Sequence, residues 1–332
     1  MEPQGRVKLA DVAARAGVSV ATVSKVVNSR YGVAKETILM VEGIIAEMGY
    51  VGNLGASGLR SKSTNVVGIL VADFEPYSAE LIKGAAKATR NTKYDVLAYA
   101  GGEAPEWERR SLARLGGTLI DAAVVVTPTA LATSISVPVV AVDPHYGPNW
   151  LPTIDCDSFA GAQSATQHLI ALGHTRIAFL GGRKELDSSQ LREAGFRDAM
   201  RSAGIPVAEE MVRDSRYDPD VAFVVCGELL ALPEPPTAIF AANDVTAMSA
   251  IFAAHARGLN VPNDLSVVGF DDIPDATLSS PSLTTVRQPL QDMGEAAMRM
   301  LLDILEGKDV VQHIRMDTEF IVRASTAPPR RS

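Results

Sequence analysis

The chain is poor in the residues from which disulfide frameworks and metal sites are built. Its 332 residues include two cysteines, Cys156 and Cys226, and neither belongs to a CxxC pair or a Cys/His cluster. We therefore expect no disulfide framework and no metal site, and a reducing cytoplasm suits such a chain. No apolar run reaches the roughly 18 residues of a membrane helix, and the N-terminus has no apolar signal region. We predict a cytoplasmic protein without a membrane partner.

Sequence motifs of common enzymes are absent as well. The chain has no P-loop, GxSxG or HExxH motif, and the glycine pair at 181–182 does not belong to a GxGxxG fingerprint. Asp271 and Asp272 are adjacent acids, but consecutive residues of a strand point to opposite faces. We predict that the chain is not an enzyme and carries no cofactor.

The net charge of −8 argues at first against a nucleic-acid partner, but the charge is unevenly distributed. Residues 1–63 carry eight basic and five acidic side chains, a net charge of +3, so the remainder carries −11. A small basic head on an acidic body suits a protein whose head binds an anion such as DNA. Solvated helix faces often carry a comparable charge, so the asymmetry is weak evidence by itself.

Three short amphipathic helices are predicted near the N-terminus. Apolar residues at helical spacing mark helices over about 9–16, about 19–28 and from about 34, and Ser19 is a suitable N-cap for the second. The motif AxxAGVS between the first two is typical of a helix-turn-helix, in which the second helix enters the major groove. A three-helix interaction module fits the spacing equally well. Inward-facing residues are predicted at Leu9, Val12, Ala13, Ala16, Val23, Val27, Ile38, Val41, Ile44, Ile45 and Met48.

The segment VKLADVAARAGVSVATVSKVVN, followed by a third helix that ends in MGY, resembles the DNA-binding headpiece of the LacI/GalR family. The resemblance implies that Val20, Ala21 and Lys25 read bases, since lysine donates to a guanine edge and apolar groups contact a thymine methyl. It places Ser19, Thr22, Ser24 and Asn28 on phosphates, where contacts set register rather than base preference. For Val20, packing in the headpiece core is the alternative.

The next segment, YVGNLGASGLRSKSTN, resembles the hinge of the same family. Asn53 matches the start of a short helix that forms on operator DNA, and Leu59 matches the leucine that wedges into the minor groove. Gly52 stands where relatives carry proline, and Gly55 and Gly58 lie inside the expected helix, each at a cost of about 0.5–1 kcal/mol. We therefore expect the hinge to be disordered without DNA. A plain flexible linker is the alternative.

From residue 64 onward, short β-rich runs alternate with amphipathic helical stretches. Such alternation predicts parallel sheets with crossover helices, in two halves at about 64–157 and 158–287. Ligands of open α/β sheets bind beyond the carboxyl ends of the strands. Strands are predicted at Val66–Val71, Asp95–Tyr99, Ala122–Val126, Val139–Val142, Arg176–Leu180, Ala238–Ala241 and Leu265–Phe270.

The second half carries further segments of LacI/GalR type, among them QHLIALGHTRIAFLGG, LREAGFRDAM, TAIFAANDVTAMSAI and GLNVPNDLSVVGFDD. The implied fold is an all-α helix-turn-helix headpiece followed by an α/β body like a periplasmic binding protein, with two Rossmann-like lobes joined by three crossovers. The implied domains are a headpiece over 1–51, a hinge over 52–63 and an effector and dimerisation domain over 64–327. The first lobe takes about 64–157 and 290–315, and the second takes about 158–287 and 316–327.

By the same resemblance, polar and aromatic residues at strand ends contact the effector. Carboxylates accept two hydroxyl hydrogens, while Arg and Asn donate to the remaining oxygens, a set that suits a neutral sugar better than an anion. The acids at strand ends have an alternative role as helix N-caps, as do Asn243 and Asp272. His168 and His174 are expected to be structural. The expected effector residues are Asp73, Phe74, Tyr77, Asp143, Arg192, Tyr217, Asn243 and Asp271.

The sequence thus predicts a transcriptional repressor whose affinity for operator DNA is controlled by a small effector. Partners are palindromic double-stranded DNA, a mono- or disaccharide and a second copy of the chain, because a palindrome requires a twofold protein. The alternatives are a solute-binding protein and a purine-type metabolite sensor of the same fold. A secreted solute-binding protein would leave residues 1–60 without a role.

Overall fold

The computed structural model describes residues 7–27, 31–48, 50, 63–102, 104–129, 137–145 and 151–330. These residues form two compact units, the first drawn mainly from residues 1–64 and the second from residues 65–332. Among them, no helix combines the length and the apolar composition that a bilayer crossing needs.

The first unit is a bundle of three helices, α1 (Leu9–Ala16), α2 (Val20–Val27) and α3 (Lys35–Met48). Gly17 ends α1 in the left-handed conformation with φ 62°, which glycine adopts without steric cost. Ser19 caps α2 through a 3.1 Å hydrogen bond from the Thr22 N–H to its hydroxyl oxygen. The turn between the two helices is thus the one that the AxxAGVS motif predicts.

The small core of this bundle departs from the predicted pattern at one residue of α2. Val12, Ala13, Ala16, Val23, Val26 and Val41 are buried, and Ile38, Ile44, Ile45 and Met48 of α3 pack partly buried around them, whereas Leu39 and Met40 are exposed. The expectation for Val27 was wrong, because Val26 faces the core and Val27 is 38% exposed. Val26 is three positions from Val23, and three- and four-residue spacings both lie on one helix face.

The second unit contains twelve strands and eight α-helices among the described residues. The strands are β1 (Val66–Val71), β2 (Asp95–Ala100), β3 (Ala122–Val126), β4 (Val139–Val142), β5 (Thr153–Cys156), β6 (Ile177–Gly181), β7 (Val212–Asp214), β8 (Ala238–Ala241), β9 (Ser266–Asp271), β10 (Thr284–Arg287), β11 (His313–Met316) and β12 (Glu319–Ile321). The helices are α4 (Pro76–Ala88), α5 (Trp107–Leu115), α6 (Ser158–Ala171), α7 (Asp187–Ser202), α8 (Pro219–Leu230), α9 (Asp244–Ala256), α10 (Pro274–Leu278) and α11 (Leu290–Leu305).

Each lobe of the second unit is built on one six-stranded sheet. The first has the order β11-β5-β4-β3-β1-β2 and all its pairings are parallel; the second has the order β12-β10-β9-β8-β6-β7, with only β12 antiparallel to its neighbour β10. Almost every residue of β1, β3, β4, β6, β8 and β9 is buried, as expected for strands covered by helices on both faces.

The chain passes between the sheets three times, after β5, after β10 and between β11 and β12. Helix α11 packs on α4 and on strands of the first sheet, so this segment returns to the first lobe. The fold is the predicted headpiece followed by a two-lobed body with three crossovers. The carboxyl ends of the parallel strands carry the polar residues considered next.

Candidate functional site

Backbone strain is concentrated at the carboxyl ends of the strands in both lobes. Asp143 follows β4 with φ 48°, Asp271 ends β9 with φ 119°, and Tyr217 lies beyond β7 with φ 61°. Side chains with a Cβ seldom adopt positive φ, and such residues cluster at functional sites where the surrounding structure holds them. All three are expected effector residues.

Arg192 is the cationic centre of this region. Arg192 lies on the same face of α7 as the buried Phe196. This charged side chain therefore points inward and is only 3% exposed. The guanidinium donates from Nη1 to the Ala242 carbonyl at 2.5 Å and lies 3.6 Å from Asp271 Oδ1. It also lies over the Phe270 ring, 3.9 Å from the centroid. Ala242 directly follows β8, and Phe270 and Asp271 are the last two residues of β9.

A hydrogen-bonded chain connects Asp271 to the first lobe. Gln288, in the crossover after β10, donates from Nε2 to Asp271 Oδ1 at 2.6 Å. The Cys156 thiol at the end of β5 donates to Gln288 Oε1 at 2.9 Å. Burial raises the pKa of Cys156 to about 12, so this thiol remains a hydrogen-bond donor. The orientation of Asp271 is therefore set from both lobes.

Asp143 forms a direct contact between the lobes. The Ser188 hydroxyl, in the first turn of α7, donates to Asp143 Oδ2 at 3.0 Å. Both side chains are buried. A cavity of about 330 Å³ lies beside this contact and is lined by Asp143, Cys156, Ser158 and Ser188, together with β5, β11 and the start of α7.

The acids of the site have raised pKa values because they are buried. Burial raises the pKa of Asp271 to about 7, although Arg192 and Gln288 oppose the shift. Burial also raises the pKa of Asp143, against Arg192 and the Ser188 hydrogen bond. One cation thus faces two carboxyls whose pKa values are raised by burial.

Two tyrosines complete the cluster. The Tyr77 hydroxyl, on α4 of the first lobe, is buried and has no hydrogen-bond partner, while its pKa is raised by burial and by Asp143 and Asp271. The Tyr217 ring lies directly on Gly182, where a Cβ would clash with it. The glycine pair at 181–182 therefore makes room for an aromatic side chain. An unpartnered buried hydroxyl is costly, and a ligand oxygen would satisfy it.

Asn243 has a role in capping a helix. Its Oδ1 accepts the Thr246 N–H at 3.0 Å and the Thr246 hydroxyl at 2.6 Å, at the N-terminus of α9. Asp272 was expected as a possible cap but is not one: Ile273 holds the cap position of α10, and Asp272 instead pairs with Arg287 and Arg323. Asn243 remains a predicted effector residue that is 7% exposed.

Asp73 and Phe74 differ from the other expected effector residues because both are exposed. Asp73 Oδ1 accepts the Phe74 N–H at 2.7 Å. Buried Arg192, Asp143 and Asp271 are brought together, whereas these two lie at the solvent-exposed turn that precedes α4.

Sequence reasoning missed four polar residues of the cleft. Ser158 Oγ lies 3.5 Å from Arg192 Nε, and Ser189 Oγ accepts the Gly182 N–H at 3.1 Å. Ser188 and Gln288 are described above. Their only sequence signal is position: the serines lie in the first turns of α6 and α7, and Gln288 directly follows the β-branched run of β10.

The two histidines that were expected to be structural lie within hydrogen-bond distance of hydroxyl groups in the second lobe. His174 is 1% exposed and its ring contacts Thr237 Oγ1 at 2.9 Å and Ser266 Oγ at 3.1 Å. His168 lies 3.0 Å from Thr326 Oγ1. Across the part of the chain that the structure describes, no group of three or more His, Cys, Asp or Glu side chains is arranged to hold a metal ion.

The predicted DNA-reading residues of α2 are accessible in the headpiece. Val20 is 47% exposed, which is contrary to core packing, and Ala21 and Lys25 are exposed. Thr22 is half-buried and its hydroxyl lies 2.8 Å from that of Ser19. Ser24 is half-buried. The remaining predicted DNA contacts, Asn28, Asn53 and Leu59, lie outside the described residues, as does the predicted hinge apart from residue 63.

Two protein families match the chain. Residues 8–53 match the bacterial regulatory proteins of the lacI family, and residues 166–326 match the periplasmic binding protein-like domain. These ranges hold α1–α3 and most of the second sheet.

Similar proteins cover nearly the whole chain. The transcriptional regulator DegA of Bacillus subtilis is 33% identical over 329 residues, 96% of this chain and 97% of its own. The repressor PurR of Haemophilus influenzae is 33% identical over 95% of this chain and 97% of its own.

Solved structures of the same architecture are similar over the same length. A complex of the regulator CelR with cellobiose has 30% identity and a TM-score of 0.71, covering 96% of this chain and 100% of that one. The lac repressor dimer bound to operator and an anti-inducer has 27% identity and a TM-score of 0.80, covering 97% and 99%. The chain belongs to the lacI family of bacterial regulatory proteins.

Proposed function

We propose that the chain is a homodimeric repressor that binds a palindromic operator and is controlled by a neutral sugar bound between its lobes. The single observation that carries the sugar assignment is the buried cluster of Arg192, Asp143, Asp271 and the unpartnered Tyr77 hydroxyl. Two carboxyls and one guanidinium supply many acceptors and few donors for a ligand. Hydroxyl-rich ligands match that set, because each hydroxyl both donates and accepts.

The charges of the cluster weigh against an anionic effector. Arg192 is already bonded to the Ala242 carbonyl and lies 3.6 Å from Asp271. A phosphate or carboxylate would meet both Asp143 and Asp271 without a free cation among them. The Tyr217 ring on Gly182 offers an apolar face for a pyranose ring. The cellobiose complex of the similar regulator CelR supports a sugar, and the alternative effector is a purine-type metabolite.

A second copy of the chain is proposed as the partner because the second lobe exposes large apolar side chains. Phe252 on α9 is 65% exposed and Leu278 on α10 is 81% exposed. Phe223 and Val224 on α8 are exposed as well. Such side chains mark interaction surfaces, and twofold symmetry matches a palindrome. The similar lac repressor is a dimer in its operator complex.

The test is binding of the purified protein to the DNA upstream of its own gene, at fixed salt, with and without added ligands. Fixed salt is needed because phosphate contacts make affinity depend steeply on ionic strength. Cellobiose, glucose and other mono- and disaccharides form one set, adenine and guanine a second, and glucose 6-phosphate is the anionic probe. Asp271→Asn should retain DNA binding and lose the ligand response, while Asp275→Asn, an exposed acid on α10, is the matched control.

A shift in operator affinity with a neutral sugar, lost in Asp271→Asn and kept in Asp275→Asn, is the expected result. A response to purines alone would replace the sugar by a purine. A stronger response to glucose 6-phosphate than to glucose would overturn the charge argument. Absence of specific DNA binding would refute the repressor assignment itself, and a stable monomer on DNA in sedimentation would refute the dimer.

A further inference from the structure

His145 is a buried histidine at the contact between the two lobes that the proposed effector chemistry does not use. It follows β4 in the first lobe, and its N–H donates to the Pro128 carbonyl at 3.0 Å. Its own carbonyl accepts the Asp187 N–H at 3.2 Å, from the first residue of α7 in the second lobe. The residue is 1% exposed.

Neither ring nitrogen of His145 has a hydrogen-bond partner. The charged groups that face the ring come from the β6–α7 loop of the second lobe, where Arg183 opposes a positive charge and Glu185 favours it. The Arg183 Nε is itself buried without a partner. Among the acids of the first lobe, Glu108 accepts the Thr129 N–H and hydroxyl through Oε1, and its Oε2 is buried without a partner.

The nearest acid in its own loop gives no compensation either. Asp143, two residues earlier, accepts the Ser188 hydroxyl in the other interlobe hydrogen bond. A positive imidazolium in this position would have two N–H donors without acceptors and an arginine beside it. Such a group is stable only when neutral.

We propose that His145 is a pH-sensitive latch of the effector cleft: the closed lobes require a neutral imidazole, and protonation favours the open arrangement. The inference deepens the regulation of the proposed effector cleft and rests on that function, because ligand entry to the buried cluster needs the lobes to separate. Operator affinity controlled through lobe closure would then respond to acidification as well as to the effector.

The direction and size of the pH effect follow from the pKa of the His145 ring when it is buried in the closed arrangement and when it is solvated in the open one. Burial, and then Arg183, lower the pKa of His145 to about 4, whereas a solvated histidine titrates near 6.5. The closed state is therefore fully favoured above pH 6.5 and loses that advantage as the pH falls towards 4. Between pH 7.5 and pH 5.5, the contribution of His145 to the ratio of closed to open protein should fall about tenfold.

Asp271 titrates in the same range with the opposite sign: burial raises its pKa to about 7, so its protonation favours the closed arrangement, and the test must separate the two groups. Fluorescence energy transfer between dyes on Lys93→Cys and Glu234→Cys reports lobe closure without ligand or DNA. Both positions are exposed and precede β2 and β8, at the ends of the strands opposite the cleft, and the native thiols are buried. The measurement compares the full chain with its His145→Asn variant at pH 7.5 and 5.5.

On acidification from pH 7.5 to pH 5.5, the ratio of closed to open protein should change about tenfold further towards the open arrangement in the parent than in His145→Asn, which retains only the opposing effect of Asp271. His255→Asn, at an exposed histidine in the last turn of α9, is the control and should respond to pH like the parent. Equal opening in the parent and His145→Asn would overturn the latch. If that variant does not fold, histidine NMR of the parent decides: a His145 ring titrating below pH 5 supports the proposal, and one near 6.5 overturns it.

Because this experiment uses no effector, its outcome is independent of the ligand titration. A latch without any small-molecule response would refute the proposed effector control and leave the pH linkage standing. A sugar response without pH-linked closure would refute the latch and leave the proposed effector control standing.

Discussion

Replacing Arg192 by methionine should destabilise the body by an amount that grows with pH. Methionine keeps an unbranched apolar side chain over Phe270 but removes the donor to the Ala242 carbonyl and the charge beside Asp271. The Ala242 carbonyl then loses its charge-assisted hydrogen bond, which costs about 1–3 kcal/mol at any pH. The electrostatic part depends on whether Asp271 is ionised.

In the parent protein Asp271 is protonated below its pKa of about 7 and ionised above it. Arg192 opposes the upward shift of this pKa, so its removal raises the pKa further. A carboxyl whose folded pKa lies above its unfolded value lowers the stability of the fold progressively as pH rises between those two values. Above pH 7 the free energy of unfolding of the variant therefore falls by about 1.4 kcal/mol per pH unit relative to the parent, until the pKa of Asp271 in the variant is reached.

The assay is urea unfolding followed by circular dichroism at pH 6.0, 7.0 and 8.5. The two proteins are compared where their free energies of unfolding depend equally steeply on urea concentration. At pH 6.0 we expect a loss of about 1–3 kcal/mol, and at pH 8.5 a further loss of about 2 kcal/mol. Arg192→Met in the background of Asp271→Asn is the control: compared with Asp271→Asn alone, it should show a smaller pH-dependent loss, the part that Asp143 contributes. A constant stability difference between the parent and Arg192→Met over this range would refute the electrostatic account of the site.

Three further predictions concern the headpiece, the hinge and the body. Lys25→Ala should weaken operator binding by about 1–3 kcal/mol and relax preference at one base position, measured by competition with single-base operator variants. Leu59→Ala should weaken operator binding far more than binding to random DNA in the same assay, and equal losses would exclude the wedge. Gly84→Ala should lower the unfolding free energy by about 1–3 kcal/mol, because its Cβ would clash with the Gln291 carbonyl where α4 meets α11. Gly43→Ala on α3, with open space around it, is the matched glycine control.

Strands that are continuous apolar runs were predicted from the sequence more successfully than strands that contain polar residues. Strands β1, β3, β4 and β8 have the predicted bounds, because continuous runs of buried β-branched and small residues are strong local signals. Strands β5, β7, β10, β11 and β12 were missed. Each contains polar or charged residues, and their pairing partners lie far away in the chain, as for β11 and β5. Local propensity cannot report such pairing.

The residues of the cleft also separate into those that the sequence predicted and those that it did not. Strand-end acids such as Asp143 and Asp271 were predicted from the sequence, since parallel strands present their carboxyl ends on one edge. Gln288 was not, because its importance comes from bonds to residues 17 and 132 positions away. Asp73 was placed in the same set by its position after β1, yet it is exposed and bonds only its neighbour's N–H among the contacts described.

The sequence by itself determined the headpiece helices, the alternation that builds two parallel sheets and the residue types at the strand ends, because these depend on periodicity and steric preference within a few residues. Tertiary structure alone decided which polar groups meet across the cleft. Ser188 reaches Asp143, and His145 loses its solvent without gaining a partner, only because two lobes close on one another. Burial and charge compensation are properties of that closed arrangement, and they set the pKa values on which the proposed control of the cleft depends.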